Sequence, residues 1–239
     1  MMKHLSGLFL LLAASIAPCS LTRAEQAAPP DCRNGTFVQT GGKYSLSKIT
    51  GEDKAFLLSD TLPCPGDSAA CRSGGYLIPG DLVIAGQSFG AYRCVFYRNQ
   101  KDSAGSAGYV HESRLLPEPS ATLTLDSWLG KWRKGDDYIS LLARGGKLRA
   151  RGEAFWPSAN PSKEAAPGGP HLGEMSGSAS PTGNRVTFID EEDECHVEMT
   201  LLPPFMLAAD NQRCGGMNVS FGGVYLLAPP ASAGGRKKR

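Results

Sequence analysis

Asp81-Leu82-Val83-Ile84-Ala85-Gly86-Gln87-Ser88-Phe89-Gly90-Ala91-Tyr92-Arg93-Cys94-Val95-Phe96-Tyr97-Arg98 is the stretch whose reading decides the fold. Two runs rich in β-branched and aromatic residues, 81–85 and 91–98, flank a pentapeptide bounded by glycine, which predicts strand, turn, strand. The pentapeptide Gly86-Gln87-Ser88-Phe89-Gly90 also has the G-x-S-x-G spacing of a serine nucleophile elbow. That reading needs a helix to follow, because the elbow exposes its serine at a strand-to-helix turn beside backbone oxyanion donors. Residues 92–97 read as strand instead, so a hairpin turn is the better account of Ser88. A triad order Ser88, Asp136, His171 can be drawn, but His171 falls in a Gly/Pro-rich loop with nothing to position it.

The same rhythm continues outward in both directions. Glycine (29) and proline (17) break the chain of 239 residues at short intervals, and no apolar period of 3.6 residues persists for three turns after the start, so the expected class is all-β. Candidate strands in the first half are 36–40, 44–49, 54–59, 81–85, 91–98 and 108–111. In the second half they are 129–133, 138–143, 147–155, 185–189, 196–202, 205–209 and 219–227. Pro117 and Pro119 mark a linker at 118–125, and four prolines between Pro157 and Pro170 mark an exposed loop. The organisation read from this is one β unit at 31–117, a second at 126–228, and a disordered basic tail at 229–239 ending Arg236-Lys237-Lys238-Arg239.

The first 24 residues read as a cleaved export signal: basic Lys3, an apolar run at 8–17, and small residues at Thr22 and Ala24 before Glu25. Ile16-Ala17-Pro18-Cys19 offers a lipid anchor at Cys19 as the lesser alternative, because proline before the cysteine departs from a lipobox. No later stretch is apolar for about 18 residues, so no transmembrane segment is expected. The 25 basic residues, less Lys3 and Arg23, balance 23 acidic ones, and four of the remainder sit in the tail. The folded part is therefore mildly acidic, and nucleic acid is not an expected partner.

Six cysteines remain after cleavage: Cys32, Cys64, Cys71, Cys94, Cys195 and Cys214. An even count in an exported chain predicts disulfides. Four of them lie before residue 100 and two after 190, so pairing within each half is the economical choice; Cys64 and Cys71 flank the turn signal Pro65-Gly66-Asp67, which leaves Cys32 with Cys94 and Cys195 with Cys214. No pair has the spacing of a structural zinc site, so no metal is expected. The acidic run Asp190-Glu191-Glu192-Asp193-Glu194 lacks the ligand alternation of a calcium loop and reads as a hairpin tip. His111, His171 and His196 show no paired spacing, and Trp128, Trp132 and Trp156 read first as core. The sequons Asn34-Gly35-Thr36 and Asn218-Val219-Ser220 would carry little weight if the source were bacterial, and no cofactor is expected.

Gly80-Asp81-Leu82-Val83-Ile84, Ala91-Tyr92-Arg93-Cys94-Val95, Gly108-Tyr109-Val110-His111 and Leu115-Leu116-Pro117 resemble the second half of a bacterial SH3-like domain, with its G-D-x-V strand and closing G-W/Y-V…L. The resemblance covers 31–117, its motifs lie after Leu77, and Tyr109 stands where the family often has Trp. In the second half, Trp128-Leu129-Gly130-Lys131-Trp132 is similar to the first strand of lipocalin-like barrels. The ending from Cys195 through Asp210-Asn211-Gln212-Arg213-Cys214-Gly215-Gly216 to Tyr225 resembles small exported proteobacterial modules, some labelled lysozyme-inhibitor-like. There Cys195 and Cys214 are expected to tie neighbouring strands, Gly215-Gly216 to turn at positive φ, and Val219, Phe221 and Tyr225 to face a core.

The expected fold is thus an SH3-like small barrel followed by an antiparallel β barrel or sandwich, lipocalin-like. The resemblance implies a non-enzymatic binding protein of the periplasm or exterior whose partner is peptidoglycan or an envelope protein, with Tyr92 and Tyr109 as contact residues. One alternative is inhibition of a lysozyme-type hydrolase through Glu191, Glu192 and Glu194, which would attract a cationic enzyme. Hydrolysis by Ser88 is the last.

Overall fold

A computed structural model describes residues 27–98, 104–192 and 194–229. The expected export signal, Cys19, Asp193 and the expected basic tail beyond Pro229 lie outside the described residues. The protein is all-β, with two antiparallel sheets. No helix among the described residues is long and apolar enough to cross a membrane.

The front sheet holds β1 (Ser45–Ile49), β2 (Ala55–Leu58), β3 (Arg72–Leu77), β4 (Leu82–Phe89), β5 (Tyr92–Tyr97), β6 (Ser106–His111) and β7 (Leu115–Pro117). Their spatial order is β3-β2-β6-β5-β4-β1-β7. The β4-β5 hairpin corrects the expected turn. Gly90, at φ 58, and Ala91 make the turn, whereas Gln87, Ser88 and Phe89 belong to β4, with Ser88 opposite Arg93. The register slips between Ala85 and Ser88, so Gly86-Gln87 forms a bulge rather than the hairpin end. Residues 36–40 form a loop instead of the expected strand, and Phe37 buries its ring against Tyr44 and Phe96.

The rear sheet holds β8 (Gly130–Lys134), β9 (Asp137–Arg144), β10 (Lys147–Trp156), β11 (His171–Ala179), β12 (Arg185–Asp190), β13 (Cys195–Leu202), β14 (Phe205–Asp210) and β15 (Gly223–Leu227). Neighbours in sequence pair as neighbours in space, and β15 returns to β8 through Leu226 opposite Arg133 and Leu227 opposite Trp132. The sheet is thereby a nearly closed barrel. Its two remaining edges, β11 and β12, face each other across a seam that Ser176 bridges by donating to Asp190 at 3.1 Å. The interior is filled by Trp128, Trp132, Phe188, Met199, Phe221 and Tyr225. On β10, Leu148, Ala150 and Ala154 point inward between exposed Arg149 and Arg151, the alternation that burial of one face demands.

Strand β14 departs from that alternation, since Phe205, Met206, Leu207, Ala208 and Ala209 are all buried. Met206 and Ala208 face the barrel core, while Phe205 and Leu207 join Val224 in a second cluster with Phe37, Ile84 and Phe96 of the front sheet. The two sheets are therefore joined through apolar contact. Polar contacts frame it: Arg98 donates to the Val224 carbonyl at 2.6 Å, the Gly41 amide to Glu198 at 3.2 Å, and Arg185 to both Glu198 and the Gly42 carbonyl.

Three disulfides are present: Cys32–Cys94, Cys64–Cys71 and Cys195–Cys214, with Cα separations of 5.6, 5.4 and 4.6 Å. The third ties the start of β13 to the loop after β14, not strand to strand. Gly215 and Gly216 are not at positive φ as expected; Gln212 and Asn218 take those values at 60° and 66°. Gly215 is required for close approach, because a Cβ there would lie 2.4 Å from the Gly173 Cα. Val219, Phe221 and Tyr225 do face the core.

Candidate binding site

Tyr92 begins β5, one residue past the hairpin turn, and its ring meets His111 at the end of β6 edge-on, with centroids 5.4 Å apart. Its phenol donates to Asp67 at 3.0 Å, and burial, then that hydrogen bond, push the phenol upward from its ordinary pKa. Asp67 sits inside the loop closed by Cys64–Cys71, so the disulfide braces the acceptor. Beside Tyr92, the β2 side chain Phe56 carries the Arg72 guanidinium 3.9 Å above its ring, and Tyr76 on edge strand β3 carries the Lys54 ammonium at 3.9 Å. Phe56 and Tyr76 themselves meet edge to face at 6.3 Å. Arg114 is held by donating to the Thr50 and Asp53 carbonyls.

Together Lys54, Phe56, Asp67, Arg72, Tyr92 and His111 line a shallow groove of about 180 Å³. Aromatic faces supply area at small entropic cost, and the cations above them add attraction for carboxylates. Such a surface suits stacking and hydrogen bonding to a chain-like ligand. Phe56, Arg72 and Tyr76 had no signal in the sequence, because only the β2-β3 pairing brings residues 54, 56, 72 and 76 together.

Tyr109, expected beside Tyr92 as a partner contact, is instead a core residue with no exposed surface. Its hydroxyl donates to the Pro30 carbonyl at 2.8 Å, and burial raises its pKa to about 12. The acidic tip lies where expected, between β12 and β13. Glu191 and Glu192 are exposed, while Glu194 is ion-paired with Arg213. His171 opens β11 rather than lying in a loop; its ring rests on Trp156 at 5.6 Å and its Nδ1 is 2.6 Å from the Met217 carbonyl oxygen. Trp156 is 38% exposed, outside the core in which Trp128 and Trp132 lie.

Ser88 donates to Glu112 at 2.7 Å and accepts from Arg93 at 2.6 Å. Asp136 instead accepts from the Ala159 amide, so the structure does not assemble Ser88, Asp136 and His171. Among the described residues, no group of three or more His, Cys, Asp and Glu side chains is placed to hold a metal ion. Compared with protein-family models, curated proteins and solved structures, the chain matches none of them.

Proposed function

We propose that this chain is an exported, non-enzymatic binding protein of the bacterial envelope, whose SH3-like first unit holds peptidoglycan or an envelope protein at the Tyr92 groove. The observation that carries the reading is the pairing of Tyr76 with Lys54 and of Phe56 with Arg72 on the β2-β3 edge of the front sheet, next to the edge-on contact of Tyr92 with His111. Three disulfides support an oxidising compartment. Ser88 supports the non-enzymatic part, since its hydroxyl is held between a carboxylate and a guanidinium on a strand.

The test is co-sedimentation with purified peptidoglycan sacculi. Wild type should pellet saturably, and Tyr92→Ala or Arg72→Gln should remain in the supernatant while keeping the wild-type circular dichroism. Equal pelleting of both variants refutes the groove. A second reading, inhibition of a lysozyme-type enzyme, is favoured by the exposed carboxylates of Glu191 and Glu192 at the barrel's acidic tip. It requires that lysozyme activity fall on adding the protein and recover with the triple variant Glu191→Gln, Glu192→Gln, Glu194→Gln.

A further inference from the structure

A second concavity lies at the junction of the two sheets, apart from the Tyr92 groove. It measures about 870 Å³ and its floor is formed by Leu82 of β4, Phe205 of β14, and Leu226 and Leu227 of β15. Two guanidiniums line it. Arg98 is positioned by its bond to the Val224 carbonyl, whereas the Arg133 side chain is exposed and has no ion pair or hydrogen bond with any described residue. The one carboxylate in the lining, Asp81, is engaged by the Ile78 amide at 2.8 Å and by the Tyr97 phenol, whose pKa is raised by burial and then by that aspartate. Apolar floor and an uncommitted cation at the rim are complementary to an aliphatic chain that ends in a negative charge.

We infer that this junction groove binds a medium-chain aliphatic carboxylate, its chain on Leu82, Leu226 and Leu227 and its head group on Arg133. The chain's own tail is the obvious rival, because Pro229 forms part of the groove wall and residues 230–239 begin there. That tail ends in four basic residues, which would meet Arg98 and Arg133 with like charge. A peptide would also need backbone partners, and the floor offers leucine and phenylalanine side chains instead.

Titration of the disulfide-bonded chain with decanoate, followed by backbone and methyl chemical shifts, tests the site. Saturable shifts should centre on residues 80–82, 97–98, 133, 204–205 and 226–229. Decan-1-ol should bind about tenfold more weakly, as should decanoate to Arg133→Gln, the loss expected for one charge-assisted hydrogen bond. Arg133→Lys should recover part of the affinity, and Leu227→Asp, at a half-exposed position, should abolish it. Four results overturn the inference: no saturable binding at millimolar decanoate, equal binding of acid and alcohol, indifference to Arg133→Gln, or binding only after residues 230–239 are removed. The site does not rest on the peptidoglycan reading, so either stands if the other fails.

Discussion

Replacing Phe205 with alanine should uncouple the two sheets. The ring is 4% exposed and belongs to the cluster that both sheets share, facing away from the barrel interior. A buried phenylalanine removes roughly 150 Å² of apolar surface from water, worth about 4 kcal/mol at about 25 cal/mol per Å². The cavity left behind adds to that cost, while water entering at a junction offsets part of it, so a loss of about 3–4 kcal/mol is expected. Urea unfolding separates the sheets spectroscopically, because Trp128, Trp132 and Trp156 all belong to the rear unit or its edge and the front unit has no tryptophan. Tryptophan fluorescence therefore follows the rear barrel, and far-ultraviolet circular dichroism follows both sheets. In wild type the two curves should coincide; in Phe205→Ala their midpoints should separate. Coincident curves with a loss under about 1 kcal/mol would refute a coupling role for the shared cluster.

Other consequences follow from the same contacts. Converting Cys32 and Cys94 to serine opens a loop with a sequence separation of 62 and should cost about 4 kcal/mol by chain entropy, against about 2 kcal/mol for Cys64 and Cys71 with a separation of 7, measured as differences in urea stability. Gly215→Ala should destabilise by about 2–3 kcal/mol through collision with the Gly173 backbone, while Gly216→Ala, whose Cβ would lie 3.2 Å from the His171 Cβ, should cost less. Tyr109 and Tyr225 are held protonated by burial, with Tyr109 raised to about 12. The unfolded chain, with tyrosine near about 10, surrenders these protons first, so their stabilising effect is complete below about pH 10 and lost on rising toward about pH 12. Phenolate absorbance should rise together with alkaline unfolding; free titration of all tyrosines in folded protein would contradict the burial.

What the sequence disclosed follows its side chains. Strands rich in β-branched and aromatic residues, such as Tyr92–Tyr97 and Cys195–Leu202, declared themselves, as did the turn between Cys64 and Cys71. Three strands did not, the shortest being Leu115–Pro117, three residues that end in proline. Arg72–Leu77 contains Gly74 and Gly75, and His171–Ala179 is a run of small residues in which Gly173 admits the Cys214–Gly215 backbone. Their pairing is made by main chain, which leaves no residue-type signal. Phe205–Asp210 opens with an unbroken apolar run, and the second buried face that this encodes became the junction with the front sheet. Tyr92 and Tyr109 lie on one face of neighbouring strands, Tyr92 opposite His111 at the hairpin end and Tyr109 opposite Cys94, two residues further in. Distance from the hairpin end, not a change of face, leaves Tyr92 half-buried at the groove and Tyr109 fully in the core, and the sequence does not show which position the neighbouring elements cover.

The central claim, a ligand groove at Tyr92, is tested most directly by titrating the isotopically labelled chain with soluble muropeptides and mapping its amide shifts. Saturable changes at Phe56, Arg72, Tyr76, Tyr92 and His111 are predicted. Silence there, or shifts confined to the Glu191 and Glu192 tip, would contradict it.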